Sequence, residues 1–314
     1  MVENSVLNQI LDGLGYTSYT SSEIRLIGGY FGNVYEIDVE VPLVIKIFNR
    51  ELDSEEDVLS EIEWTQFLSE HGLSVIEPIL VKGLYINNLS EKMFFVAYKR
   101  ARGKHIDINN KEVWNSKLFN LWGQGMGTMH SLSKLYKGKR PEWHKQEIYQ
   151  VNLKDLDPKI NDLWDNYLAE LKTMSTSKDI YGIIHGDLHQ QNLLYDNGEV
   201  TFIDCGDSEC GWFAYDIAIS IYHASQSIEE KENRCKFATS FCQSFMDGYA
   251  KANPTSEIIN NIDFFINFRH LYSYVYHNQY LDKTNVTKKQ LDYLDEMKKS
   301  LINQTSYFEK SLIS

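Results

Sequence analysis

The sequence is poor in cysteine and in positive charge, and each shortage excludes a class of protein. Its 314 residues include four cysteines, none of which forms a C-x-x-C pair or precedes histidines at zinc-finger spacing. We therefore expect reduced thiols in the cytoplasm, without a disulfide framework or a structural metal site. The 31 basic residues are outnumbered by 44 acidic ones, which gives a net charge of −13. This balance argues against nucleic acid as a partner, since non-specific binding of nucleic acid needs a basic surface.

Long apolar runs and internal repeats are absent as well. No apolar run reaches the roughly 18–20 residues that a membrane-spanning helix requires, so we expect no membrane association. Residues 1–15 have no basic segment ahead of their apolar positions, a pattern typical of an amphipathic helix and not of a secretion signal. The composition that remains, 43% hydrophobic with 13% aromatic residues, predicts a globular protein with a sizeable core.

The first part of the chain alternates strand-like and helix-like patterns. β-Branched and aromatic runs predict a small antiparallel sheet with one inserted helix. The helix is expected over 54–70, because Ser54 can cap its first turn, acidic residues follow, and Gly72 lies just past its end. The predicted strands are 23–27, 34–39, 43–48, 75–85 and 93–98.

The rest of the chain is predominantly helical in its pattern. The predicted helices are 113–135, 159–174 and most of the sequence after Ala214, with breaks near 253–254 and 282–285. A short strand over 180–184 leads into a polar loop, and the Asp-Asn-Gly sequence at 196–198 predicts a hairpin turn. We place the domain boundary near residues 97–103, which gives an N-terminal lobe of residues 1–98 and a C-terminal lobe of residues 99–314.

The polar loop brings together the residue types that phosphoryl transfer uses. Asp187 is followed five residues later by Asn192, and Asp204 comes twelve residues after Asn192. In phosphoryl transfer one carboxylate orients the attacking hydroxyl and accepts its proton, while an amide oxygen and a second carboxylate hold magnesium on the phosphates. Magnesium prefers hard oxygen ligands and takes few of them from protein. Asp and Asn also shape turns, but the ordered set of three favours the catalytic interpretation.

These motifs resemble those of the aminoglycoside phosphotransferase and choline kinase superfamily, which shares the protein-kinase-like fold. His-Gly-Asp at 185–187 takes the place of the His-Arg-Asp motif of protein kinases, and Ile-Asp-Cys-Gly at 203–206 lies where they carry Asp-Phe-Gly. Tyr-Asp-Ile-Ala at 215–218 is similar to the Tyr-Asp-Leu-Ala of the superfamily.

The resemblance implies an α+β, protein-kinase-like fold of two lobes. A small antiparallel-sheet N-terminal lobe with one main helix would bind the nucleotide, and a larger, mostly helical C-terminal lobe would carry the catalytic and substrate-binding residues. The resemblance also implies ATP and Mg²⁺ as cofactors. Asp187 would be the catalytic base, and Asn192 and Asp204 the magnesium ligands.

In the N-terminal part, Lys46 lies within an apolar strand, where an isolated Lys is costly to bury without a partner. An edge-strand Lys that reaches solvent is the ordinary interpretation. The resemblance instead implies that Lys46 contacts the ATP phosphates and pairs with a Glu of the following helix. Periodicity does not separate Glu61 from Glu63. The family pattern, an acidic residue seven positions before the Leu that ends the helix, favours Glu61.

Two further segments are assigned to the nucleotide by the resemblance. Gly29 and Gly32 lie in a turn whose backbone N–H groups would cover the phosphates, although glycines are common in hairpin turns of every kind. Backbone groups at Tyr98, Lys99 and Arg100, in the linker between the lobes, would bind adenine.

Candidate residues for the acceptor lie in two places. Asp207 and Glu209 closely follow the magnesium Asp and are placed to meet a cationic acceptor, with a solvated loop as the alternative interpretation. Arg269 and Tyr272 belong to an aromatic run that has the pattern of a helix core but could face the acceptor pocket. Asp216 is expected to be structural, because in related kinases it ties a helix to the catalytic loop.

The sequence therefore predicts a small-molecule kinase that moves the γ-phosphoryl group of ATP to a hydroxyl. An aminoglycoside-like or other amino-bearing acceptor is favoured, because His-Gly-Asp-Leu-His at 185–189 is most similar to that branch of the superfamily. One alternative is a protein Ser/Thr kinase of the bacterial stress-response type, against which the short segment between Asp204 and Tyr215 argues. The other is a non-catalytic kinase-like binding protein, which usually lacks the Lys, the base or a metal Asp that this chain has.

Overall fold

The chain divides into two units in its computed structural model, which describes residues 2–29, 32–254, 256–281 and 286–312. The first unit comprises Met1–Lys104, Tyr136–Arg140 and Leu194–Gly206, and the second comprises the remaining residues. The first unit thus also contains residues 136–140 and 194–206, so a single boundary near residues 97–103 does not separate the two units. Tyr30 and Phe31 of the glycine-bearing turn, and the predicted break at 282–285, lie outside the described residues.

An antiparallel sheet forms the centre of the first unit. Its strands are β1 (Ile24–Gly28), β2 (Val34–Ile37), β3 (Leu43–Asn49), β4 (Pro78–Ile79), β5 (Asn87–Asn88) and β6 (Met93–Lys99). They are ordered β1-β2-β3-β6-β4, and β5 also pairs with β6. Two helices pack on this sheet, α1 (Asn4–Leu14) and α2 (Glu55–Glu70).

The two faces of β3 have different partners, because successive side chains of a strand point to opposite sides. Leu43, Ile45 and Ile47 are buried in the cluster to which α1 contributes. Val44 packs against the cluster to which α2 contributes. Lys46, two residues after Val44, therefore lies on the face that α2 covers.

The predicted strand over 75–85 is wrong over most of its length. Only Pro78–Ile79 pairs with β6. Pro78 has no N–H to donate to a ladder. Lys82 and Gly83 have positive φ, of 50° and 85°, in the tight turn that follows, so the backbone cannot remain extended. The other strands and the helix predicted for this part are confirmed, with small shifts at their ends.

Helices dominate the second unit. They are α3 (Ser116–Ser133), α4 (Pro158–Leu171), α5 (Phe213–Ser225), α6 (Lys231–Ala252), α7 (Ile262–Tyr280) and α8 (Lys288–Ile302). The remaining strands of the chain are β7 (Lys104–His105), β8 (Tyr181–Ile184), β9 (Leu193–Asp196), β10 (Glu199–Phe202) and β11 (Glu209–Trp212). The α+β prediction, a small antiparallel sheet followed by a mostly helical remainder, is confirmed. In the described ranges no helix is both long and apolar enough to cross a membrane.

Helix α5 is the centre of the second unit, since every residue of it except His223 is buried. Around it, α3 and α6 cross at close range. A Cβ atom at Gly123 of α3 would lie 1.9 Å from the backbone oxygen of Phe245, and one at Gly248 of α6 would lie 1.9 Å from that of Asn120. The crossing therefore requires glycine on both helices.

Candidate active site

A buried carboxylate in the first turn of α5 fixes the loop that follows β8. The oxygens of Asp216 accept hydrogen bonds from the backbone N–H groups of His185 and Gly186, at 2.9 and 3.1 Å. His130 of α3 approaches Asp216 as well, with Nε2 at 3.0 Å. Burial lowers the pKa of His130 despite this contact, so the ring is neutral at neutral pH and its role is structural. Asp216 thus ties α5 to this loop, as the sequence predicted.

The turn at Gly186 presents Asp187 at the end of this loop. Gly186 has φ of +83°, and a Cβ atom there would lie 2.3 Å from the backbone oxygen of Asp207, so only glycine fits. Oδ1 of Asp187 lies 2.7 Å from Nη2 of Arg269, and Oδ2 lies 3.3 Å from Nε2 of His189. Burial alone would raise the pKa of Asp187, but these two partners outweigh it and hold that pKa well below its usual range. The carboxylate is therefore ionised, and 28% of the side chain is exposed.

Asn192 lies beside Asp187 because the loop continues into a short 3-10 turn over Gln190–Asn192. His189 caps this turn, since its Nδ1 accepts a hydrogen bond from the N–H of Gln191 at 3.1 Å. The Nδ2 of Asn192 donates to the backbone oxygen of Asp187 at 2.9 Å. This leaves Oδ1 as the amide atom that can bind a cation, and a hard oxygen is the donor that Mg²⁺ prefers.

In the first unit, Lys46 and Asp204 form an ion pair, with Nζ 2.8 Å from Oδ1. Burial would lower the pKa of Lys46, but Asp204 and Glu61 outweigh it and hold that pKa above its usual range. Asp204 has φ of 59°, a conformation that a non-glycine residue adopts only where its surroundings impose it. Of the two candidate glutamates on α2, Glu61 is buried beside Lys46 and Glu63 is exposed.

A buried arginine that the sequence did not single out ties α2 to the turn after Asp204. Arg140 donates from Nη1 to the backbone oxygen of Asp57 and to the hydroxyl of Ser60, at 2.9 and 2.8 Å. Its Nη2 donates to the backbone oxygen of Gly206 at 2.9 Å. A planar guanidinium carries donors on both terminal nitrogens, so Arg140 can bind α2 and the turn after Asp204 at the same time. No local pattern marks Arg140, so only the fold reveals its position.

The predicted phosphate-binding glycines both have positive φ, of 86° at Gly29 and 62° at Gly32. Asn33 fastens the end of this turn to the sheet, because its Nδ2 donates to the backbone oxygen of Ile47 at 2.8 Å. A Cβ atom at Gly29 would lie 2.2 Å from Oδ1 of Asn33, so the path of the turn depends on glycine.

The predicted adenine segment is the end of β6 and the residues after it. Tyr98 is buried, whereas Lys99 and Arg100 are exposed. The N–H of Arg100 donates to the backbone oxygen of Pro42 at 3.2 Å, and its Nε lies 2.6 Å from Glu36. This N–H is therefore used within the protein. A cavity of about 510 Å³ in this region is lined by Val41, Pro42, Lys99, Arg100, Ala101, Arg102, Gly103 and Asp196.

The four acceptor candidates have different environments. Asp207 is exposed, but Glu209 is buried in β11, where it pairs with Ile184 directly before the catalytic loop. The solvated-loop interpretation is therefore wrong for Glu209. Burial raises the pKa of Glu209 to about 8, and its Oε2 has no hydrogen-bond partner among the described residues. The guanidinium of Arg269 lies over the ring of Tyr272, 5.0 Å from the ring centroid.

Three further side chains near these candidates were not apparent from the sequence. Nε2 of His223 lies 3.0 Å from Nη2 of Arg269, and Tyr215 also hydrogen-bonds to Arg269. Gln146 hydrogen-bonds to the carboxyl of Glu209. The one signal in the sequence is His223 itself, an ionisable residue near the end of a helix in which apolar residues predominate.

Comparison with known proteins agrees with this geometry. Residues 23–253 match APH, the phosphotransferase enzyme family. An amicoumacin kinase of Bacillus subtilis (strain 168) is 27% identical in an alignment of 304 positions that covers 91% of this chain and 89% of that protein. The solved amicoumacin kinase hAmiN, in complex with AMP-PNP, Ca²⁺ and Ami, has a TM-score of 0.84 at 25% identity and covers 94% of this chain and 92% of its own. A microcompartment-associated aminopropanol kinase shares the fold, with a TM-score of 0.75 at 15% identity over 98% of this chain and 99% of its own.

The family match covers well over half of the chain and includes Asp187, Asn192 and Asp204. The AMP-PNP and Ca²⁺ in the hAmiN complex agree with the predicted ATP and divalent cation. The predictions of the superfamily, of the protein-kinase-like fold and of a small-molecule kinase are confirmed. The chain belongs to the phosphotransferase enzyme family.

Proposed function

We propose that the protein transfers the γ-phosphoryl group of ATP to a hydroxyl of an amino-bearing small molecule. The observation that supports this most directly is Asp187, an ionised and partly exposed carboxylate at the end of a loop that Asp216 fixes. In the proposed reaction the acceptor hydroxyl gives its proton to Asp187, and its oxygen bonds to the γ-phosphorus. The bond from that phosphorus to the bridging oxygen breaks, and ADP leaves.

The remaining residues have the chemical character that their proposed roles need. Asn192 keeps its amide Oδ1 for a cation, and Asp204 is a half-exposed carboxylate, so we assign both as ligands of Mg²⁺. Bound Mg²⁺ would neutralise the charge of the phosphates. Lys46 stays protonated, because Asp204 and Glu61 raise its pKa despite its burial, and its positive charge can bind phosphate oxygens. The proposed nucleotide contacts are Gly29, Gly32, Lys46, Glu61, Tyr98, Lys99 and Arg100.

An amino group on the acceptor is supported by Glu209. Its buried Oε2 has no hydrogen-bond partner within the described part of the chain, and a protonated amine would supply the missing donor while its charge would favour the ionised form of the carboxyl. Tyr149, Tyr215 and Tyr272 lie close enough to Glu209 to interact with its charge, and aromatic faces attract cations. The two amicoumacin kinases among the relatives make amicoumacin the first acceptor to test.

An ADP-release assay on the purified protein tests the acceptor class. Amicoumacin, aminoglycosides, amino alcohols and sugars are compared with ATP and Mg²⁺, and each amine is paired with its N-acetyl derivative, which keeps the hydroxyls and loses the charge. We expect turnover with at least one amine and a fall in kcat/KM of at least about 30-fold on acetylation, because losing one partner of a buried charge pair costs about 2–5 kcal/mol. Turnover confined to neutral sugars would contradict the amine proposal, and phosphate label on lysate proteins would favour a protein kinase.

The substitution Asp187→Asn tests the assignment of the base. It keeps the shape of the side chain and leaves the backbone bonds to Asp216 in place, so we expect kcat to fall about 10²–10⁴-fold while ATP binding with Mg²⁺ is unchanged by calorimetry. Asp155→Asn, an exposed aspartate of the same unit, is the matched control and should retain full activity. Wild-type turnover in Asp187→Asn would exclude Asp187 as the base.

A further inference from the structure

The guanidinium of Arg269 contacts the carboxylate of Asp187 across 82 positions of sequence. Nη2 lies 2.7 Å from Oδ1, the distance of a charge-assisted hydrogen bond. Only 9% of the Arg269 side chain is exposed, so water screens this contact little on the arginine side. An arginine keeps its charge at every pH at which the protein is folded, so Asp187 has a permanent partner.

Arg269 is itself restrained by α5 and by its own helix, α7. Tyr215 hydrogen-bonds to it, and Tyr272 lies beneath its guanidinium. Burial lowers the pKa of His223 well below its usual range, so the ring is neutral and its Nε2 accepts a hydrogen bond from Arg269 at 3.0 Å. A guanidinium held by three neighbours restrains in turn the carboxylate oxygen of Asp187 that it contacts.

The two oxygens of Asp187 have unequal partners. Oδ1 is engaged by Arg269 at 2.7 Å, whereas Oδ2 has Nε2 of His189 at 3.3 Å, beyond the usual range of an N–H···O hydrogen bond. His189 is restrained from coming closer, because its Nδ1 already accepts the N–H of Gln191. An acceptor hydroxyl that approaches Oδ2 therefore has to displace a weaker hydrogen-bond partner than one that approaches Oδ1.

We propose that Arg269 is a positioning residue: it holds Oδ1 of Asp187 so that Oδ2 faces the acceptor and takes the hydroxyl proton. The proposal rests on the role of Asp187 as the base. It replaces the expectation that Arg269 contacts the acceptor directly. The two roles have different kinetic effects, because a residue that binds the acceptor changes KM, whereas a residue that acts through the base lowers kcat.

Steady-state kinetics of Arg269→Gln and Arg269→Lys test this proposal. We expect Arg269→Gln to lower kcat about 100-fold, since a displacement of about 1 Å at a reacting group has an effect of this size. The acceptor KM and the affinity for ATP should stay within about threefold of wild type. Arg269→Lys should recover roughly a tenth of the wild-type kcat, because an ammonium keeps the charge but loses the fork geometry.

Arg234→Gln is the matched control for the loss of an arginine. Arg234 belongs to the same unit, lies over the ring of Tyr307 at 5.9 Å and donates to the backbone oxygen of Ile228. It contacts no residue of the proposed site, so its kcat should equal that of wild type. Melting temperatures of all variants show whether a loss of kcat reflects unfolding. If Arg269→Gln does not fold, Arg269→Lys decides: a lower kcat at unchanged acceptor KM supports positioning, and a wild-type kcat refutes it.

A double-mutant cycle with Asp187→Asn isolates the coupling between the two side chains. Arg269→Gln should have little further effect once Asp187 has been replaced. Additive losses, or a raised acceptor KM at unchanged kcat, would overturn the proposal.

Hydrolysis of ATP by water provides a readout that needs no identified acceptor. If the wild-type protein phosphorylates no amine, the proposed function fails, but slower hydrolysis in Arg269→Gln than in Arg234→Gln still supports positioning and equal hydrolysis still refutes it.

Discussion

The two units hold their acidic site residues in opposite ways. Asp204 of the first unit pairs with Lys46 and leaves half of its side chain exposed, whereas Asp187 of the second unit pairs with Arg269, which is almost completely buried. Because half of the Asp204 side chain is exposed, water screens this pair on the aspartate side, and Asp204 can exchange Lys46 for a bound cation. Breaking a pair that includes a buried charge costs about 3–5 kcal/mol. The first unit is thus suited to partners that exchange, and the second to a group that must stay in place.

The contrast extends to the packing of the helices. A Cβ atom added at Gly13 of α1, in the first unit, would meet no atom within 4 Å. One added at Gly123 of α3, in the second unit, would lie 1.9 Å from a backbone oxygen. The crossing of α3 and α6 is therefore closely packed, whereas α1 has open space at Gly13.

The largest predicted effect concerns the Lys46–Asp204 ion pair of the first unit, and it is a loss of activity with ATP when Lys46 is replaced. We expect Lys46→Met to lower kcat/KM for ATP by about 10²–10³-fold, because it removes the positive charge that we propose stabilises the phosphates. Lys92→Met, at an exposed position directly before the neighbouring strand β6, should change it little. Initial rates at varied ATP measure both. Equal rates in the two variants would show that the pair in the first unit does not serve the nucleotide, and the comparison would fail.

A buried carboxyl should make the stability of the second unit depend on pH. The pKa of Glu209 is raised by burial to about 8 from an ordinary 4.5, so between these values the folded protein keeps a proton that the unfolded chain releases. This contribution is complete below about pH 4.5 and is lost as the pH rises towards 8, at up to roughly 1.4 kcal/mol per pH unit. We expect the free energy of unfolding of Glu209→Gln to exceed that of wild type by an amount that grows over this range.

Urea unfolding at several pH values between about 5 and 8 measures this difference. The charged neighbours that act on the carboxyl of Glu209 are Asp207, Asp216 and Arg269. Glu147→Gln, at an exposed position of the same unit, is the control and should follow wild type at every pH. A gap between Glu209→Gln and wild type that is constant with pH would show that Glu209 titrates normally.

The smallest predicted effects compare the two glycines. Gly123→Ala should lower the free energy of unfolding by about 1–3 kcal/mol, because the new Cβ atom meets the backbone of α6 and the helices must separate. Gly13→Ala adds a methyl group in open space within α1 and should raise it by about 0.5–1 kcal/mol. Denaturation midpoints separate the two outcomes. Changes of the same sign would contradict the difference in packing between the units.

Contacts within one loop or one strand were predictable from the sequence. Asp187 and Asn192 are five residues apart in one loop, so their spacing alone indicates that they are neighbours. The alternation of β3 places Lys46 on the face that α2 covers. These relations depend on backbone geometry, which local sequence determines.

Contacts that depend on tertiary packing were not predictable. The approach of Arg269 to Asp187 follows from the packing of α7 against α5, and the aromatic neighbours of Arg269 have the pattern of an ordinary helix core. The burial of Glu209 follows from the pairing of β11 with β8. A four-residue strand that contains Gly211 carries too weak a pattern to predict that pairing.

Arg269 and Tyr272 are three positions apart on α7, and therefore on one face of it. In the proposed arrangement, a mutation that alters the acceptor pocket by shifting α7 also displaces Arg269 from Asp187. Substitutions in α7 that favour a new acceptor are therefore expected to lower turnover at first. Evolutionary change of specificity is expected to proceed first through substitutions that leave the register of α7 unchanged.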